Sequence, residues 1–246
     1  MSDTPPVLKG SLRPLTAAPV SPRVAGHEPL ESSLPPVPDK DAIALLAQFE
    51  QLPIGRIQVV ATQAQAEQAV ADMAGAGAFG FDTESKPTFT KGEVSDGPHT
   101  VQLSTAQQAW VFQLHDLGCR SVLAAWLATH ASLKVGFGLG DDRRRILGKL
   151  GVEALGVIDL NHVFHRQGYR KDIGVKAAVA LMFRRRFLKS GKATTSNWAA
   201  RQLSEHQLVY AANDAYAALR VFDALGPVVR AASCTLHGFN ITTATK

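Results

Sequence analysis

From Asp39 onward the sequence predicts an α/β fold, a mixed β-sheet flanked by helices in a single domain, on three observations. Short apolar runs alternate with longer stretches of helical periodicity. Two of those runs, Thr100–Ser104 and Ala109–Gln113, are separated only by residues 105–108. They must form an antiparallel hairpin, because a parallel return needs a crossover of about a dozen residues or more. Beyond Asp159 the chain reads as helical throughout.

Taken in order, the expected strands are Ile57–Val60, 78–82, Thr100–Ser104, Ala109–Gln113, 133–137 and 157–158. A polar loop rich in Gly, Pro, Ser and Thr, 85–98, leaves the second strand. Helices at 120–129 and 141–150 supply the crossovers into the fifth and sixth strands. Further helices are expected at 160–167, 173–183 and 204–225. The last starts at Ser204, a side chain that caps free backbone N–H groups, and Glu205 suits the positive end of the helix dipole. Leu208, Ala211, Ala215, Ala218, Leu219 and Phe222 form its expected buried stripe, with Asp214 between stripe members.

The chain has 246 residues, 46% of them hydrophobic, which is material for one sizeable core. Nine of the thirteen prolines lie at or before Pro38, in a segment with too little apolar surface to offset the entropy of ordering it. Residues 1–38 are therefore expected to be a disordered arm, and they lack the continuous apolar stretch of a secretory signal or membrane span. Cys119 and Cys234 are far apart and in no C-x-x-C pair, which argues against a disulfide scaffold or structural zinc and for a reducing cytoplasm. The net charge of +5 suits a polyanionic partner without identifying one.

Three acidic sites stand out. In Phe81-Asp82-Thr83-Glu84, an apolar run ends in D-x-E, and the period-two alternation of a strand puts both carboxylates on one side. They can bind a hard cation, or simply leave a sheet edge as loop carboxylates. In Gly136-Phe137-Gly138-Leu139-Gly140-Asp141-Asp142 a strand runs into a helix, where acids also serve as caps and dipole partners, the reading preferred for Asp141. In Tyr210-Ala211-Ala212-Asn213-Asp214 the phenol and carboxylate, four residues apart, share a helix face. Taken alone, a core tyrosine beside a surface aspartate would account for that pair. Together, four carboxylates from three segments would be expensive to gather without cations to neutralise them.

On these motifs, in this order, the stretch from Phe81 to Phe222 resembles the DEDDy 3′-5′ exonuclease family, which has a ribonuclease H-like fold. Within the family it is most like the exonuclease domain of the Werner syndrome helicase and its small bacterial relatives, and it is related to ribonuclease D. Asp82 and Glu84 match the first motif. Asp142 matches the second by its spacing to Ile146, and Tyr210 and Asp214 match the third. Ser196-Asn197-Trp198 also resembles that subgroup. The resemblance implies a domain over 39–230 followed by a tail, 231–246. It also implies two Mg²⁺ or Mn²⁺ ions held by Asp82, Glu84, Asp142 and Asp214, with Tyr210 orienting the attacking water. The implied partner is nucleic acid with a free 3′ end, DNA ahead of RNA, with 5′-mononucleotides as products and no nucleotide cofactor or membrane involved. Thr83 is expected to grip the 3′ terminus, Phe89 to stack on a base, and Arg144 to meet phosphate. Only about twenty residues follow Leu225, so the helical accessory domain of ribonuclease D is not expected.

Between Arg143 and Arg201 fourteen Lys or Arg stand against three acids, so the positive field belongs to the C-terminal half. Two other readings fail. The third glycine of a dinucleotide-binding G-x-G-x-x-G would fall at Asp141, where a carboxylate repels pyrophosphate. His162 and His165 lack a third metal ligand nearby and read as a helix-surface pair. A non-catalytic nucleic-acid-binding module on the same fold is the alternative function.

Overall fold

The computed structural model describes Met1, residues 34–88 and residues 95–227. Most of the expected arm, Phe89, Cys234 and the tail at 231–246 lie outside the described residues. Six strands make one sheet in the order β1-β4-β3-β2-β5-β6: β1 (Ile57–Val60), β2 (Ala78–Glu84), β3 (Thr100–Ser104), β4 (Ala109–Gln113), β5 (Leu133–Gly136) and β6 (Val157–Asp159). β2, β3 and β4 pair antiparallel in sequence, as the short connection between β3 and β4 requires, and β1, β5 and β6 join in parallel.

The expected helices are present as α3 (Leu117–Thr129), α4 (Gly140–Leu150), α5 (Leu160–Arg166), α6 (Gly174–Phe183) and α8 (Glu205–Ala224). Short α1 (Lys40–Ala44), α2 (Gln63–Asp72) and short α7 (Gly191–Thr194) were not foreseen. In α2 only Ala66 and Ala69 are buried, so its apolar periodicity is faint. Its start is nevertheless written in Thr62, whose hydroxyl accepts from the Gln65 N–H.

Side chains alternate across the sheet and feed two cores. Phe79, Phe81, Val101, Leu103, Trp110 and Phe112 pack with residues of α2 and α3 on one face. On the other, Ala109, Val111, Val135 and Ile158 pack against α6 and α8. α8 lies across the second face, closest to β2, and is buried on nearly its whole circumference from Tyr210 to Leu219. The expected one-sided stripe is thus too narrow: Asp214 is only 5% exposed, while Leu208 is half-buried. A Cβ on Gly80 would stand 1.8 Å from the Ala215 carbonyl oxygen, so only glycine on β2 allows α8 to lie this close. The segment ahead of β1 straps the same helix. Leu52 N–H donates to Asn213 Oδ1 at 2.7 Å and Asn213 Nδ2 donates to the Leu52 carbonyl at 3.2 Å. No helix among the described residues is long and apolar enough to cross a membrane.

Candidate active site

β2 carries two of the acids into the site. Phe79 and Phe81 anchor one face of the strand in the core, which leaves Gly80, Asp82 and Glu84 on the face toward α8. α8 brings Asp214 to meet them, and one oxygen from each of Asp82, Glu84 and Asp214 lies within 4.8 Å of the others. The D-x-E motif thus projects both carboxylates to one place.

Asp142 enters from the first turn of α4. It stands outside that tight group of three but is tied to it: the Thr83 hydroxyl, between the two acids on β2, donates to Asp142 Oδ1. The Thr83 side chain therefore holds an acid in position. Asp141 does not cap α4, whose N-cap, Leu139, has no side-chain hydrogen bond. It lies in the positive first turn and pairs with Arg144. The turn before α4 is organised by Asp159. Its carboxylate accepts from the N–H groups of Gly138 (3.0 Å) and Leu139 (2.9 Å) and from Asn161 (2.9 Å) at the start of α5. The acid twenty residues beyond the glycines is thus a backbone clamp.

Burial dominates the electrostatics. It lifts Asp82 well above the usual carboxylate range, reinforced by the charges of Asp214, Asp142 and Glu84. Burial, then Asp214, pushes Glu84 up to about 8. Asp142 is also raised by burial, against the opposing hydrogen bond from Thr83. Asp214 is raised by burial, against the opposing charge of Lys189. Lys189, in the loop between α6 and α7, places Nζ 2.6 Å from Asp214 Oδ2. Burial alone would depress its pKa, but Asp214 and Asp82 reverse this and raise it. Nothing in the basic character of 184–192 singled Lys189 out in the sequence.

Tyr210 sits one turn before Asp214, its hydroxyl 3.0 Å from Thr194 Oγ1. Its ring packs on Trp198 with centroids 5.9 Å apart, and both belong to a small cluster with Ala193 and Ala211. Ser196 accepts from Gln207 of the α8 capping box at 3.0 Å, so the 196–198 segment props the tyrosine against the helix. Burial and the Asp214 charge push the phenol up to about 12.

The donor set is carboxylate oxygen without thiolate or imidazole, the chemistry that suits hard divalent cations. The Asp214 carboxylate is buried, and its partners are the Lys189 ammonium at 2.6 Å and the Tyr210 hydroxyl. Such a cluster has unsatisfied capacity for positive charge.

The remaining candidates lie elsewhere. Arg144 is largely exposed on α4 and lines an open groove of about 550 Å³ with Ser95, Gly97, Arg145 and Lys149. Its ion pair is with Asp141 on the same helix. Phe89 lies outside the described residues. His162 and His165 are on the exposed face of α5, and His165 pairs with Asp172 at 3.0 Å, as expected for surface histidines.

Residues 57–230 match the profile described as 3′-5′ exonuclease. A 3′-5′ exonuclease of Arabidopsis thaliana is 28% identical over 156 residues, covering 63% of this chain and 54% of the relative. The mouse exonuclease 3′-5′ domain-containing protein 2 is 32% identical over 99 residues, 39% of this chain and 15% of the relative. The chain thus spans about half the length of the first relative and a small part of the second. Among solved structures, the exonuclease domain of Aedes aegypti Nibbler superposes with a TM-score of 0.59 at 21% identity. That match covers 72% of this chain and 90% of the other. Escherichia coli RNase D superposes with a TM-score of 0.61 at 21% identity, covering 72% and 45%. These likenesses show a ribonuclease H-like exonuclease fold. With the matched profile spanning β1 through α8 and all the acids described above, this chain belongs to the 3′-5′ exonuclease family.

Proposed function

We propose that the protein hydrolyses phosphodiester bonds from the 3′ end of a nucleic-acid strand, releasing 5′-mononucleotides, with two divalent cations, Mg²⁺ or Mn²⁺, at the acidic cluster. The observation that carries this reading is the convergence of half-buried Asp82 and Glu84 with buried Asp214, Asp142 being tied in through Thr83. In the absence of cations that assembly is costly, and a polyanion would be repelled by it. Asp82, Glu84, Asp142 and Asp214 would hold the cations. Bound there, the ions supply Lewis acidity, lowering the pKa of water and stabilising charge on the entering and leaving oxygens.

Tyr210, with its pKa near 12, keeps its proton at neutral pH. It therefore orients the attacking water and does not deprotonate it. Thr194 and Trp198 fix the phenol where it can do so. The backbone at Thr83 and Glu84 would grip the terminal 3′ hydroxyl, and Phe89 would stack on a base. Arg144 and its neighbours would meet upstream phosphates.

DNA is the first substrate of this proposal, on the likeness of the third motif to the Werner-type subgroup. RNA is the second, favoured by the fold neighbour Trypanosoma brucei RNase D, solved in complex with RNA U12. The test is one assay on end-labelled single-stranded DNA, recessed duplex DNA, long RNA and dinucleotides, with Mg²⁺, Mn²⁺ or chelator. Mononucleotide release that requires metal and disappears in Asp82→Ala is expected. Metal-independent binding with no cleavage of any substrate would mark a binding module instead.

A further inference from the structure

We propose that Lys189 is a resident counter-cation, seated on the Asp214 side of the carboxylate cluster, that must give way when a divalent cation binds there. The proposal rests on the metal-binding reading above and adds a competitor from within the chain. Lys189 belongs to neither the strand nor the helices that carry the acids. It comes from the loop that follows Arg184, a residue held at φ 54 that turns the chain out of α6.

From there its ammonium lies over the Tyr210 ring, with Nζ 5.1 Å from the centroid, and ends 2.6 Å from Asp214 Oδ2. The carboxylate it neutralises is 95% buried. In the metal-free protein Lys189 therefore offsets part of the repulsion among the clustered acids. A dication on the same carboxylate would face the ammonium at close range, and like charges so placed exclude each other.

Lys189 has room to leave. An open hollow of about 270 Å³, bordered by Leu188, Ser190, His206 and Tyr210, adjoins it, and its side chain is already 29% exposed. Its long stem can carry the ammonium to solvent without moving the loop. The pairing stabilises the metal-free fold and weakens the first steps of metal uptake, because a ligand that must break a native interaction binds less tightly.

Lys189→Met, which keeps an unbranched side chain of similar length and removes the charge, tests this without nucleic acid. Calorimetric Mn²⁺ titration should show binding about tenfold or more tighter than in the wild type. Thermal melting should show the variant weakened in chelator and close to the wild type in saturating Mn²⁺. A second measurement on the wild type does not depend on a variant folding. Amine-selective acylation read by mass spectrometry should label Lys189 several-fold more with saturating Mn²⁺ than without. Mn²⁺ affinity in Lys189→Met equal to or below the wild-type value, or acylation of Lys189 that Mn²⁺ leaves unchanged or reduces, overturns the proposal. If wild type and variant both take up no Mn²⁺, the metal-binding reading itself fails. Equal uptake removes only the role given to Lys189.

Discussion

Replacing Gly80 with alanine tests the geometric foundation of the site without touching any acid. The added methyl would stand 1.8 Å from the Ala215 carbonyl oxygen and 2.5 Å from its carbon, both backbone atoms of α8. Ordinary contact is about 3.5 Å, so strand and helix must part by roughly 1.7 Å. Neither element can rotate the methyl away, because Phe79 and Phe81 pin one face of β2 and Asn213 pins α8 to the strap at Leu52. Overpacking of this kind costs about 3 kcal/mol or more. For a domain of this size that is a loss of roughly 6–12 °C in melting temperature. The same displacement widens the distance from Asp82 and Glu84 on the strand to Asp214 on the helix, now within 4.8 Å. A misplacement of about 1 Å at reacting groups can cost on the order of 10²-fold in rate. Thermal unfolding by circular dichroism, and release of label from the 3′ end of an oligonucleotide, measure the two effects. Gly148→Ala is the matched control, since its methyl would meet nothing within 4 Å inside α4, and it should stabilise by about 0.5–1 kcal/mol. A Gly80→Ala protein that melts with the wild type and keeps its full rate would refute the close-packing argument.

Other perturbations address single groups. Tyr210→Phe removes one hydroxyl and keeps the ring against Trp198, so kcat should fall about 10²-fold with little change in melting temperature. An unchanged kcat would take the tyrosine out of the reaction. Lys134 is fully buried on β5, with Nζ donating to the His130 carbonyl at 2.7 Å and lying over the Trp126 ring. Burial lowers its pKa from 10.5 to about 8, so the unfolded chain holds this proton more tightly than the folded one. Its penalty is full below about pH 8 and fades as pH rises toward 10.5. Denaturant titrations of wild type minus Lys134→Met should show that alkaline gain, and parallel curves between pH 8 and 10.5 would contradict it. Arg144→Ala combined with Arg145→Ala should weaken nucleic-acid binding about equally for all sequences. The salt dependence should become shallower by up to about two units in the log–log slope, and an unchanged slope would remove this groove from the substrate path.

Much of the architecture was legible because it depends on local signals. Residue spacing dictated the β3–β4 hairpin, and Ser204 with Glu205 announced α8. The D-x-E and Tyr-x-x-x-Asp pairs are spaced by strand and helix periodicity, so their shared faces could be read directly. α2 was overlooked because two buried alanines make a weak stripe, although Thr62 marked its start. Phe81, Gly80 and Asp82 show the boundary between the two kinds of information. Alternation alone sorts them onto opposite faces, but only the packed α8 explains why the residue at 80 has no side chain.

What the sequence determined by itself was which acids are present, on which kind of element, and in what order. Those properties follow from a few neighbouring residues. Only the tertiary structure decided that Asp214 is buried and not a surface acid, that Thr83 holds Asp142, that Asp159 clamps the glycine turn, and that Lys189 is the ammonium seated against the cluster. The last three are contacts between residues from about 20 to about 60 positions apart, and Asp214 meets Asp82 and Glu84 from about 130 positions away. Such contacts depend on how the helices settle on the sheet, and no local pattern of side chains encodes that distance.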